Sequence, residues 1–262
     1  MNKSRKLSIY ERNQLLKYSL KETDLLTKGD LPVEYLTGFV EFRNLELKIN
    51  QNVLIPRVET EELLDLMIEF AKSSLEEISY LELGTGSGAI SLAFLDFLLK
   101  EKSKALRVKQ ILISDLSTKA LSVAQDNLIR LFPQSKDFSF KCDFLVSDLL
   151  KNVPKQKFNL VVANLPYIPT KLIASLEASV KDYEPTLALD GGEDGFTLIA
   201  QLLEQIILDD FLSLNGKIFL EVHETHTLDF IAKNYPKIMY NFLVEELPDQ
   251  FDRHRFLILQ KR

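Results

Sequence analysis

An α/β domain organised around a mostly parallel sheet is the fold class the sequence predicts, and three observations predict it. From Tyr80 onward, short apolar runs alternate with amphipathic stretches of helical period. A glycine-rich turn, "LELGTGSGAI", stands between the first apolar run and the first of these helices. Polar residues then gather where the strands end, which is where open α/β sheets bind their ligands.

The elements follow in order. Residues 8–28 read as one amphipathic helix with Leu15, Leu16, Leu20 and Leu25 on a common face, closed by Pro32. "YLTGFVEFRNLELKINQNVLIP" alternates apolar and polar residues as a hairpin does. "VETEELLDLMIEFAKSSL" is helical, with Thr60, Glu59 or a residue nearby as its cap. The strands of the sheet are "SYLEL", "QILISD", "FSFKCDFLVSD", "FNLVVAN", "GKIFLEV" and "RHRFLILQ"; the helices between them are "SGAISLAFLDFLLK", "TKALSVAQDNLIRLF", "GFTLIAQLLEQIILDDFL" and "THTLDFIAKNY". The expected organisation is a short helical segment at 1–34, a hairpin linker at 35–58 and the α/β domain at 59–262.

With 262 residues, 46% of them hydrophobic, the chain has enough material for a sizeable core. Its formal net charge of −6 argues against a nucleic-acid partner, which calls for a basic surface. The single cysteine, Cys142, rules out an intrachain disulfide and points to a reducing, cytoplasmic setting. No apolar run follows the basic residues of "MNKSRKLSIYERNQ", so this stretch does not read as a signal peptide. No segment approaches the ~20 apolar residues of a membrane span, and a monomer is expected.

Gly84, Gly86 and Gly88 let the chain turn tightly and let a ligand approach backbone without meeting a Cβ. Gly84, Gly86 and Ala89 satisfy the spacing of dinucleotide binders. Glu82 and Gly88 fit better the E-x-G-x-G-x-G loop of S-adenosylmethionine-dependent methyltransferases, with Thr85 and Ser87 inside it. Asp115 ends the next strand, where a carboxylate accepts both hydroxyls of a ribose. Asp148 and Leu149 end the third and border an adenine.

The fourth strand ends in "NLPY". A planar amino group conjugated to a carbonyl or aromatic ring is a poor nucleophile, because its lone pair is delocalised. Two acceptors that grip both N–H bonds aim such a nitrogen at an electrophilic methyl group and stabilise the charge it develops. The side-chain oxygen of Asn164 and the backbone carbonyl of Leu165 are those acceptors. Pro166 adds no competing N–H and biases Leu165 toward extended backbone. Tyr167 offers a flat face to a planar group.

These motifs together resemble the protein-(glutamine-N5) methyltransferases, in particular the release factor glutamine methyltransferases. The resemblance runs from about Tyr35 to the C-terminus and includes "YLTGFVEF", "VLIPRVETEELL", "LELGTGSGAISLA", "SDLSTKALSVAQDN", "FNLVVANLPYIP", "DYEPTLALDGGEDGF" and "DRHRFLIL". It implies a Rossmann-like methyltransferase fold with a seven-stranded sheet. It also implies S-adenosyl-L-methionine as donor, leaving S-adenosyl-L-homocysteine, and no metal. The implied acceptor is the glutamine of the Gly-Gly-Gln motif in peptide-chain release factors. Asn164 to Tyr167 would meet the glutamine; residues 84–88, Asp115, Leu149 and Asn164 would meet the cofactor. Two departures stand out. The family normally has Asn-Pro-Pro-Tyr, and the Leu165 form also occurs in ribosomal RNA adenine dimethyltransferases. Only about 30 residues precede "YLTG", fewer than the family's helical docking domain. The competing readings are an N6-adenine methyltransferase on RNA or DNA, a glutamine methyltransferase of a ribosomal protein, and a non-catalytic binding module.

Among weaker features, Arg57 and Glu59 are expected to shape the mouth of the site, and Glu184 and Pro185 to line the substrate groove. "HETH" lacks the spacing that sets two histidines on one helical face for a metal. Arg253, Arg255, Lys261 and Arg262 read as a solvated basic end.

Overall fold

The computed structural model describes residues 5–101 and 107–262. The first four residues of the expected N-terminal segment lie outside the described residues. The chain begins with three short helices, α1 (Ile9–Lys17), α2 (Glu22–Leu26) and α3 (Val33–Thr37), and a two-stranded antiparallel sheet, β1 (Phe39–Phe42) and β2 (Leu45–Lys48). After α4 (Val58–Ser73) come β3 (Ile78–Leu83), α5 (Ala89–Lys100), β4 (Val108–Asp115), α6 (Thr118–Leu131), β5 (Lys141–Val146) and β6 (Phe158–Ala163). The short helices α7 (Thr170–Ile173) and α8 (Ala178–Lys181) lead to α9 (Thr197–Leu208) and β7 (Leu212–Glu221). The chain closes with α10 (Leu228–Asn234), α11 (Pro236–Asn241), β8 (Phe242–Pro248) and β9 (His254–Lys261).

The seven-stranded sheet has the order β5-β4-β3-β6-β7-β9-β8. Its first five strands are parallel, and β9 and β8 join antiparallel. The central strands β3 and β6 are buried along their whole length, as expected where helices cover both faces. The chain leaves β3 toward β4 on one side and enters β6 on the other, so a crevice opens at their carboxyl ends. Register then decides what meets there. Leu83 pairs with Ala163, and Ala163 with Leu220, so the residues that follow, Gly84, Asn164 and Glu221, come out side by side.

Four expectations are corrected. Residues 8–28 are not one helix: α1 opens on a Ser8–Glu11 capping box and ends at Tyr18, and Ser19 takes a left-handed φ of 57°. That break lets Leu25 join Leu15 and Val33 in a small core, while Leu16 is left 75% exposed, because one helix cannot bury Leu15 and Leu16 on the same narrow stripe. Thr60 is not a cap; Arg57 flanks α4 without a side-chain cap, and the Thr60 hydroxyl turns inward. The helix "GFTLIAQLLEQIILDDFL" stops at Leu208, where a turn with Asp210 at φ 55° starts β7 early. Finally, Arg255 is no solvated end. Its side chain is largely buried, with the guanidinium 5.9 Å from the centre of the Tyr167 ring.

The hairpin β1–β2 is tied to the α/β domain rather than free. Val40, Phe42, Leu45 and Leu47 are part of the main core with α4 and α5. The fully buried Asn127 of α6 accepts from the Lys48 N–H (2.8 Å) and donates to the Lys48 carbonyl (2.8 Å) and the Ser87 carbonyl (3.0 Å). No helix among the described residues is long and apolar enough to cross a membrane.

Candidate active site

A cavity of about 270 Å³ opens at the carboxyl ends of β3, β4, β5 and β6. Of the expected residues, Glu82, Gly84, Thr85, Gly86, Ser87, Asp115, Asp148, Leu149, Asn164, Leu165 and Pro166 all line it. Gly88, Tyr167, Arg57 and Glu184 do not.

The glycine turn is built from below by a buried acid. Glu82, 1% exposed, accepts hydrogen bonds from Thr85 Oγ1 (2.8 Å) and from the Ser91 hydroxyl, which also meets the Tyr80 hydroxyl (2.9 Å). Burial pushes its carboxyl up to about 7, against the pull of those hydroxyls. Glu82 thus shapes the loop from its underside. Gly86, at φ 57°, has open space where a Cβ would stand, so a ligand can approach its backbone.

Asp115 sits across the loop. One carboxylate oxygen accepts from the Gly86 N–H (2.9 Å) and the other from the Ser117 N–H (2.8 Å). Burial raises its pKa, and these backbone donors oppose the rise. Each oxygen retains a lone pair for a hydroxyl. Leu149 is held at a φ of 50°, and its carbonyl accepts from the Ser147 hydroxyl (2.7 Å). Asp148 pairs outward with Lys151 (2.5 Å).

The Asn-Leu-Pro-Tyr segment is clamped by the loop that follows it. Ile168 forms a bridge with Asp190, and the Gly191 N–H donates to the Ile168 carbonyl (2.9 Å). A Cβ on Gly191 would stand 2.7 Å from the Pro166 oxygen and 2.8 Å from Tyr167 Cα, so only glycine permits this approach. Asn164 Nδ2 donates to Thr60 Oγ1 (3.1 Å), which leaves Oδ1 as the amide's remaining acceptor. Thr60 in turn donates to Glu221 Oε2 (2.7 Å), and the Tyr167 hydroxyl donates to Glu221 Oε1 (2.9 Å). The Leu165 side chain is buried against Gly84, joining this segment to the glycine turn.

Arg57 and Glu184 form an ion pair, and Glu184 Oε2 also accepts from the Ile55 N–H (3.1 Å). Their neighbours Pro56 and Pro185 line the cavity, so the pair joins two of its walls from outside. His226 of "HETH" is buried, with Nε2 3.0 Å from the Asp194 carbonyl and Nδ1 accepting from the His223 N–H, a structural role.

Residues 61–178 match a family model described as the methyltransferase small domain. The chain is 34% identical to the release factor glutamine methyltransferase of Leptospira interrogans serogroup Icterohaemorrhagiae serovar Lai, over 95% of this chain and 82% of that protein. It is also 34% identical to the release factor glutamine methyltransferase of Thermosynechococcus vestitus, over 88% of this chain and 74% of that protein. The chain belongs to the release factor glutamine methyltransferase family. Its fold is shared with the ribosomal protein L11 methylase of Lactobacillus delbrueckii subsp. bulgaricus (TM-score 0.50, 19% identity, 79% of this chain and 80% of that one). It is shared as well with the hMettl16 catalytic domain (TM-score 0.56, 13% identity, 82% and 74%).

As a member of the release factor glutamine methyltransferase family, the chain is an S-adenosylmethionine-dependent enzyme. The cavity fits that donor: a loop with open backbone at Gly86, a carboxylate at Asp115 with lone pairs to spare, and an apolar border at Leu149 and Leu116. Sequence reasoning missed Gln51, Asn52, Val53 and Leu54, which form another wall of the cavity. It missed Glu221 as well. The signal was there: an acid closing the wholly apolar end of a central strand, "IFLEV".

Proposed function

We propose that this protein transfers a methyl group from S-adenosylmethionine to the side-chain amide nitrogen of glutamine in the Gly-Gly-Gln motif of peptide-chain release factors. One observation carries the reading. Asn164 and Leu165 line the same cavity as the glycine turn and Asp115, and the Asn164 NH2 is tied back to Thr60, so its oxygen is the end left for an acceptor. The donor supplies an electrophilic methyl group. The protein's part is to hold residues 84–87 and Asp115 around the donor. The acceptor's two N–H bonds then rest on Asn164 Oδ1 and the Leu165 carbonyl. Leu165 fulfils this as well as proline would, because the acceptor is its main-chain oxygen.

The release factor named in the relatives supports this acceptor, and the net charge of −6 speaks against nucleic acid. The test is incubation with methyl-labelled donor and a release factor, followed by mass spectrometry of its peptides. A gain of one methyl on the Gly-Gly-Gln glutamine is expected. Asn164→Ala, which removes one acceptor, should lower that labelling about 100-fold with the fold intact. Label on RNA with none on the factor would overturn the reading.

A further inference from the structure

An asparagine carboxamide is nearly symmetric in shape, so packing alone does not decide whether its oxygen or its NH2 faces the acceptor. Here the decision falls to hydrogen bonds. Glu221, 1% exposed at the end of β7, accepts one hydrogen bond on each oxygen, from the Thr60 hydroxyl and from the Tyr167 hydroxyl. Thr60 has a single proton. Once that proton is given to Glu221 Oε2, Thr60 Oγ1 can only accept, and the group placed to donate to it is Asn164 Nδ2 at 3.1 Å. Burial raises the pKa of the Glu221 carboxyl; the Thr60 and Tyr167 hydroxyls and Arg255, from β9, which lies over the Tyr167 ring, oppose the rise, while Glu59, from α4, adds to it.

We propose that Glu221 and Thr60 are positioning residues that fix the Asn164 carboxamide with its oxygen toward the acceptor amide. This rests on the role given to Asn164 above and adds the device that makes it directional. The reverse orientation would set one NH2 group against another and lose one of the two grips on the acceptor. Tyr167 is then a second anchor of the same carboxylate.

The test compares three variants. Glu221→Gln keeps the shape but adds a donor, so that Thr60 can turn its proton toward Asn164. Thr60→Val removes the hydroxyl, and Thr60→Ser keeps it. The expected result is a fall in kcat of about 100-fold in Glu221→Gln and Thr60→Val, with KM for the donor unchanged, and recovery of most of the turnover in Thr60→Ser. The side-chain NH2 resonances of Asn164, assigned by their loss in Asn164→Asp, should shift in Glu221→Gln and Thr60→Val but stay close to wild type in Thr60→Ser. Should Glu221→Gln not fold, the Thr60 pair carries the test alone. Wild-type kcat in Thr60→Val, or Asn164 resonances unmoved by the loss of the hydroxyl, would overturn the inference. Because the resonances need no acceptor, their movement in a protein that labels no glutamine would refute the proposed acceptor and leave the orienting network standing.

Discussion

Replacing Asn127 with alanine should loosen the cavity from the side away from the chemistry. Asn127 is fully buried, and three main-chain groups depend on it: the Lys48 N–H, the Lys48 carbonyl and the Ser87 carbonyl. A buried polar group left without a partner costs roughly 1–3 kcal/mol. Lys48 borders solvent, so its two groups lie at the low end, and the Ser87 carbonyl nearer the middle. The sum is about 4 kcal/mol, a factor of roughly 1,000 in the ratio of folded to unfolded chains. The same change frees the hairpin from the glycine turn. Gln51 to Leu54 follow the hairpin and Ser87 lies in the turn, and both line the cavity. Donor affinity should therefore fall with stability, by about tenfold, or ~1.4 kcal/mol. Urea denaturation measures the first effect as a lower midpoint at unchanged slope, and calorimetric titration with S-adenosylhomocysteine measures the second. A loss of stability below about 1 kcal/mol together with unaltered affinity would refute the claim that this side chain joins hairpin to loop.

Three further outcomes follow from the same geometry. Burial raises the Glu82 carboxyl to about 7 in the folded chain, so between about pH 4.5 and 7 the folded state binds its proton more tightly than the unfolded state does. This contribution to stability is therefore present at low pH and lost as pH rises, to the extent of about 3 kcal/mol; Glu82→Gln should abolish that decline in urea midpoints taken across the range. Arg57→Ala leaves Glu184 buried with one backbone donor and, with Arg57 partly exposed, should cost about 2 kcal/mol in chemical denaturation while KM for the donor holds steady. Leu165→Pro keeps the carbonyl but loses buried side chain against Gly84, so steady-state kinetics should show kcat within about tenfold of wild type and melting should reveal a loss of about 1 kcal/mol.

Much of this architecture was legible from residue patterns. The central strands announce themselves because both faces are covered: "SYLEL" and "FNLVVAN" are mostly apolar, buried along their length and bounded by glycine or asparagine. The glycine turn, Asp115 and Asn164 could be placed because each follows such a strand directly. Strand β8 was missed for the opposite reason. It is a half-exposed edge strand in which "FLVEELP" leaves Leu243, Glu245 and Pro248 exposed, so its pattern of apolar and charged residues does not alternate as a strand's would. The break after α1 was hidden because Ser19 carries no glycine-like signal for its left-handed backbone. The pairings of Arg57 with Glu184 and of Thr60 with Glu221 had to await the fold. Their members lie 127 and 161 residues apart in sequence, and only the sheet order brings α4 and the end of β7 to the same side of Asn164.

The central claim is that an amide nitrogen is held by two oxygens of this chain, one from Asn164 and one from the main chain of Leu165. A crystal structure with S-adenosylhomocysteine and a peptide bearing Gly-Gly-Gln tests it most directly. The glutamine nitrogen should lie about 2.9 Å from both oxygens, with the cofactor sulfur beyond it. A glutamine bound elsewhere, or an Asn164 whose NH2 faces the peptide, would contradict it.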